Sequence, residues 1–185
     1  MSRAGLYLTG LGSILFLVAA FLPYSRVFIE QSAEKKIEII MNMRGMWNFG
    51  HVLFGFGSLI TVAGLGLLVS GNREAGSLIL SYLAVILLGT GALLWSWHVT
   101  ERMLDPQGFA DGTNTPYLFL IYSVLTQIGL FLIGFYLLKA HIKDWVAWMF
   151  IIGSAVLFIL MIIFRDMPPF VYYVLTLVMS VAFLV

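Results

Sequence analysis

The chain is a succession of long apolar runs cut by short polar segments. Six runs read as helices, at about 4–29, 46–70, 77–100, 117–140, 145–164 and 169–185. A bilayer core about 30 Å thick takes roughly 20 helical residues to cross. No run alternates apolar and polar positions with a period of two, as a lipid-facing strand must, so a β-barrel is excluded. In hydrocarbon the backbone polar groups find no water, and a helix pairs them within itself. The links after the second, fourth and fifth helices are tight: Gly71-Asn72-Arg73-Glu74, His141-Ile142-Lys143-Asp144 and Arg165-Asp166-Met167-Pro168. Links that short make the joined helices antiparallel neighbours. The first and third loops are longer, about 16 residues each, and carry most of the charge. Pro23 predicts a bend at the end of the first helix. In the first loop Ile37, Ile40 and Met41 recur at helical spacing behind Ser32, a residue type that caps helices. That spacing predicts a short amphipathic helix lying in the headgroup plane. The whole pattern predicts an all-α polytopic membrane protein: one domain over residues 1–185, a bundle of six transmembrane helices with a short interfacial helix in the first loop.

Composition agrees. Of 185 residues 61% are apolar and 10% charged, and mean hydropathy is +1.01. A soluble domain carries about 25% charged and 45–50% apolar residues, and one of this length leaves much of its surface in water. Soluble enzymes, nucleic-acid binders, secreted disulfide scaffolds and disordered tails are therefore excluded. With no cysteine, disulfides, thiolate metal sites and thiol redox chemistry are excluded too. A net charge of +1 gives no reason to expect a polyanionic partner. The opening run through Val18-Ala19-Ala20 has the outline of a signal peptide, but is read as a retained first helix. The apolar ending Phe183-Leu184-Val185 fits either a truncated chain or a last helix that ends against another subunit.

Charge around the loops bears on orientation. One side carries Arg3, Arg73, Lys139 and Lys143; the other carries six Lys or Arg against seven acids. Counting cations alone favours the second side as cytoplasmic. Short loops and a basic amino terminus favour the first, and long Asp/Gly/Asn-rich loops are usually external. The expectation is a multi-pass protein of a prokaryotic cytoplasmic membrane with its amino terminus inside.

Candidate chemistry is sparse. No Asp, Glu, Lys or Arg stands near the middle of a run, although coupled transporters and pumps place ionisable groups there. Gln127 is the strongly polar residue at depth, and a buried amide usually bonds across helices. His51 lies about one turn into the second helix and His98 one turn before the end of the third. Antiparallel helices bring both imidazoles to one membrane side, as axial ligation of a b-type haem requires. Gly55 and Gly91 are positions where missing side chains would make room for a flat cofactor. His98 and Glu101 share a helix face at i, i+3, and with His51 would make a two-His, one-carboxylate metal set for hydrolysis. Gly50, Gly57, Gly64 and Gly71 form a seven-residue stripe, the mark of close helix packing. Trp47, Trp95, Trp97, Trp145 and Trp148 all fall near helix ends, like an aromatic belt.

The run Trp47-Asn48-Phe49-Gly50-His51-Val52-Leu53-Phe54-Gly55 and the later Met167-Pro168-Pro169-Phe170 resemble small bacterial six-helix membrane proteins. In that group a second helix opens with Trp-x-x-x-His after a polar first loop, and a Pro-led helix comes last. The resemblance covers about a quarter of the chain. It implies a six-helix architecture with Trp47 and His51 as marked positions and no assigned activity. The reading that follows is a non-enzymatic membrane protein, a structural or accessory subunit. Its partners would be the lipid bilayer and, through the glycine stripe, another subunit or a second copy, with no nucleic acid. A haem-b electron-transfer subunit using His51 and His98 comes second, and a metal-dependent membrane hydrolase third.

Overall fold

The computed structural model describes residues 2–70, 75–164 and 169–184, and among them the chain is helical with no strand. Two of the tight links, 71–74 and 165–168, lie outside the described residues, with Gly71, Arg73, Glu74 and Arg165 among them. Helix α1 runs Arg3–Ala20, and Ser2 caps it by accepting from the Gly5 amide at 3.2 Å. It stops nine residues short of the predicted end at 29. Pro23 has no amide hydrogen to continue the ladder and holds Leu22 extended, so the chain turns into a short 3-10 segment, Pro23–Phe28. Helix α2, Ala33–Asn42, forms in the first loop, with the Ser32 hydroxyl accepting from the Lys35 amide at 3.4 Å.

Helices α3 (Arg44–Val69) and α4 (Ala75–Leu104) follow. The third loop holds a helix that hydropathy alone does not reveal: α5, Pro106–Asp111. Asp105 accepts from the Gly108 amide at 2.9 Å, Pro106 starts the first turn, and Gly112 ends it at φ 71°, where a side chain is strained. Then come α6 (Pro116–Lys139), α7 (Asp144–Phe164) and α8 (Phe170–Leu184). Among the described residues five helices are long and apolar enough to cross a membrane: α1, α3, most of α4, α6 and α7. The expected sixth span is a shorter apolar helix of 15 residues, roughly 22 Å at 1.5 Å per residue.

The helices pack in the order α8, α1, α3, α4, α6, α7, with α7 and α8 in lighter contact. Small residues set the closest approaches. A Cβ on Gly57 would lie 2.8 Å from the Phe16 amide nitrogen, and one on Gly64 would lie 2.7 Å from the Gly5 carbonyl. Reciprocally, a Cβ on Gly5 would lie 2.8 Å from the Gly64 carbonyl and one on Gly12 would lie 2.7 Å from that of Gly57. Gly50 lies under the ring of Tyr24, whose hydroxyl donates to the Ala19 carbonyl at 3.1 Å. The stripe on α3 therefore meets a matching antiparallel stripe on α1 of the same chain. Its glycines are thus taken up by contacts within the chain.

Polarity is distributed inside out. Ile79, Ile86 and Leu93 on α4, and Ile152, Ile159 and Ile163 on α7, face outward and are exposed. Thr9, Ser13, Ser58, Thr61, Gln127, Thr176 and Ser180 are buried. Ser13 and Thr176 share a hydrogen bond of 2.8 Å, Tyr122 donates to Tyr173 at 3.2 Å, and the Gln127 amide donates to Tyr172 at 2.7 Å. Gln127 thus bonds across helices. A cavity of about 20 Å³ lies among these groups, bordered by Thr61, Thr126, Tyr172 and Thr176. An apolar exterior over a hydrogen-bonded interior is compatible with an integral membrane protein.

Candidate binding site at the capped end

One end of the bundle is covered. The end of α1, the start of α3, the end of α4 and the start of α6 come together there, and α2, α5 and the 3-10 segment pack over them. Both candidate histidines sit under this cap. Trp47, in the first turn of α3, is fully buried against Tyr24, Phe28 and Phe109. One turn on, the His51 ring lies 3.9 Å from the Trp47 ring, and its Nδ1 is 2.8 Å from the Trp47 carbonyl. A carbonyl only accepts, so Nδ1 carries the proton and Nε2 presents a lone pair. On α4 the His98 ring stands 5.8 Å from Trp95 and 6.4 Å from Phe119. Both histidines are 2% exposed.

What distinguishes this end is its unpaired polar atoms. Twelve buried side-chain nitrogen and oxygen atoms among the described residues lack a hydrogen-bond partner. Nine of them cluster here: Arg44 Nη1, Trp47 Nε1, Asn48 Oδ1, His51 Nε2, Trp95 Nε1, His98 Nδ1 and Nε2, Arg102 Nε and Asn114 Oδ1. Each such group in a low-dielectric interior costs about 1–3 kcal/mol when left unmade, so a cluster of nine is a feature to explain. The remaining three, on Ser123, Gln127 and Ser154, lie deeper in the bundle.

The structure divides the other sequence candidates. Glu101 turns away from the pair to accept from the Thr115 hydroxyl at 2.7 Å, and lies 3.9 Å from His98 Nδ1, beyond hydrogen-bond reach. Among the described residues no three His, Asp or Glu come together as a metal site, so His51, His98 and Glu101 are not brought into one ligand set. Gly91 does not open a gap beside His98: a Cβ there would meet Thr126 on α6 at 3.3 Å. Gly55 meets Ser96 and Val99 at 3.7 Å. Trp47 and Trp95 are not belt anchors either, being 0% and 2% exposed beside the histidines, whereas Trp97, Trp145 and Trp148 face outward. Sequence reading missed Arg44 and Arg102 as members of the site. The signal was their position, each one turn from a buried tryptophan or histidine.

Ring contacts link the two histidines through the interior. His51 touches Phe54 at 6.0 Å, Phe54 touches Trp95 at 5.9 Å, and Trp95 touches His98. Phe16 stacks on Tyr173 at 3.6 Å and meets both Phe54 and Trp95. A haem between the imidazoles would have to part Phe54 from Trp95, so the packed site does not fit a macrocycle. Outside the spans, burial pushes the Tyr24 phenol above its usual range, so it stays a neutral donor. Comparison with family models, curated proteins and solved structures finds no match to this chain. The site is read from its own chemistry.

Proposed function

We propose that the protein is a non-catalytic integral membrane component, an accessory or binding subunit, whose working part is the capped end. One observation carries the reading: nine unpaired buried polar atoms gather under one cap while the rest of the interior is largely bonded. A small ligand of matching polarity would satisfy them, and the surrounding aromatic rings would fix its orientation. The protein works in a cytoplasmic membrane with its amino terminus inside. Its partners are the bilayer and a neighbouring membrane subunit or second copy, reached through faces other than the glycine stripe.

The test is a stability comparison. Trp95→Phe and His98→Phe each remove unpaired polar atoms and keep a ring. If the atoms serve no ligand, each variant differs from wild type by the same amount before and after bound small molecules are stripped, since the cost of repacking the altered ring does not depend on a ligand. If a ligand bonds them, each variant is less stable than wild type in its native lipid by about 1–3 kcal/mol. The deficit then shrinks once bound small molecules are stripped. A difference unchanged by stripping would overturn the reading.

A further inference from the structure

Two guanidinium groups at the capped end lack a carboxylate. Arg102 lies over the ring of Phe109 at 4.9 Å and that of Phe28 at 5.9 Å, with its Nε buried and unpaired. Arg44 donates from Nη2 to the Met103 carbonyl at 3.0 Å, next to Arg102, while its Nη1 is buried and unpaired. The Trp47 indole, 5.2 Å from the same Phe109 ring, is fully buried with its N–H unpaired.

The acids nearby are otherwise engaged. Glu101, within electrostatic reach of Arg102, accepts from Thr115; Asp105 caps α5; Asp111 accepts from Gln107 at 2.9 Å. Among the described residues no carboxylate forms an ion pair with either arginine. Both arginines are half-buried, and a guanidinium N–H closed off from water normally meets an acceptor, since an unpaired buried donor is costly. The donors left over here, two guanidinium nitrogens and an indole N–H, carry positive charge, whereas the unpaired acceptors of the cluster, Asn48 Oδ1, Asn114 Oδ1 and His51 Nε2, are neutral. What they lack is a negatively charged oxygen.

We propose that the capped end binds one oxyanion, a phosphate group, held by Arg102 Nε, Arg44 Nη1 and the Trp47 indole N–H. Charge-assisted bonds from guanidinium to such oxygens are about twice as strong as neutral ones. The oxyanion is either a free anion or the headgroup of an anionic lipid reaching under the cap from the bilayer. This inference rests on the reading of the capped end as a binding site.

The experiment uses the full chain in two settings. In neutral detergent it is titrated with inorganic phosphate against chloride at matched ionic strength. In nanodiscs it is compared in phosphatidylcholine with and without phosphatidic acid. The expected result is a rise in the unfolding midpoint with at least one probe. The apparent affinity falls about tenfold or more in Arg102→Gln and clearly in Trp47→Phe, a second variant that removes the indole N–H while keeping an aromatic ring, so that the test does not hang on the folding of the first. A response to phosphate alone identifies a free anion, and a response to phosphatidic acid alone identifies a lipid. Equal responses in wild type and both variants overturn the proposal. So does silence from both probes: if Trp95→Phe and His98→Phe still show the ligand-linked stability loss, the ligand is not a phosphate and the binding reading stands. If they show none, both fail.

Discussion

His51 is fixed by a local bond to the carbonyl four residues back, a contact that helix geometry alone makes available. Its exposure to a ligand depends on what covers it. The sequence carried the two histidines and their shared membrane side, because antiparallel helices make depth a matter of counting residues. It did not carry the arginines' part in the site, since an Arg at a helix end reads equally as a solvated terminus. Nor did it carry the burial of Trp47 and Trp95, because interfacial and interior tryptophan occupy the same positions along a helix. Gln127 was legible for the opposite reason: an amide at mid-span has few choices but another helix. Replacing Gln127 with Leu leaves the Tyr172 hydroxyl without its donor and should cost about 0.5–2 kcal/mol. Unfolding of the variant in mixed micelles checks it, and unchanged stability would mean the bond contributes nothing.

Among the helices, the α1–α3 pair is the tightest feature, and its cause is spacing. Gly5, Gly12 and Ala19 step along α1 at the interval at which Gly64, Gly57 and Gly50 step along α3 in the opposite direction. The stripe on α3 is legible in the sequence, but its spacing alone does not say whether the facing helix is α1 or a helix of another chain. Gly57→Leu should therefore unfold or open the bundle by about 2–4 kcal/mol rather than dissociate intact subunits. Gly89 offers the control: nothing lies within 4 Å of a Cβ there, and Gly89→Ala should be neutral or stabilising by up to about 1 kcal/mol. Thermal scans followed by size-exclusion chromatography separate the two outcomes; folded monomers from a dissociated Gly57→Leu complex would contradict this packing. Helix α5 escaped the hydropathy pattern because six residues are too few to show a period. Its Asp105-Pro106 start and Gly112 stop are nonetheless a capping signature. Asp105→Ala should loosen the cap by about 1 kcal/mol, seen as faster amide exchange over 106–111.

At the scale of the whole molecule, composition fixed the class and left the activity open, because lipid-facing apolar residues say nothing of what the interior holds. The architecture puts the cap and the α6–α7 turn at opposite ends of the bundle. The chain has no cysteine, so single cysteines can be placed without background. Gln107→Cys and His141→Cys should label from opposite sides of the membrane, with Ser2→Cys labelling on the side of His141; labelling of Gln107 and His141 from one side would contradict the arrangement. The central claim is that the capped end holds a ligand, and native mass spectrometry of the gently extracted protein tests it most directly. The account expects one bound small molecule per chain, diminished in His98→Phe and Trp47→Phe. Wild-type protein of bare-chain mass, from preparations that still retain peripheral lipid, would contradict it.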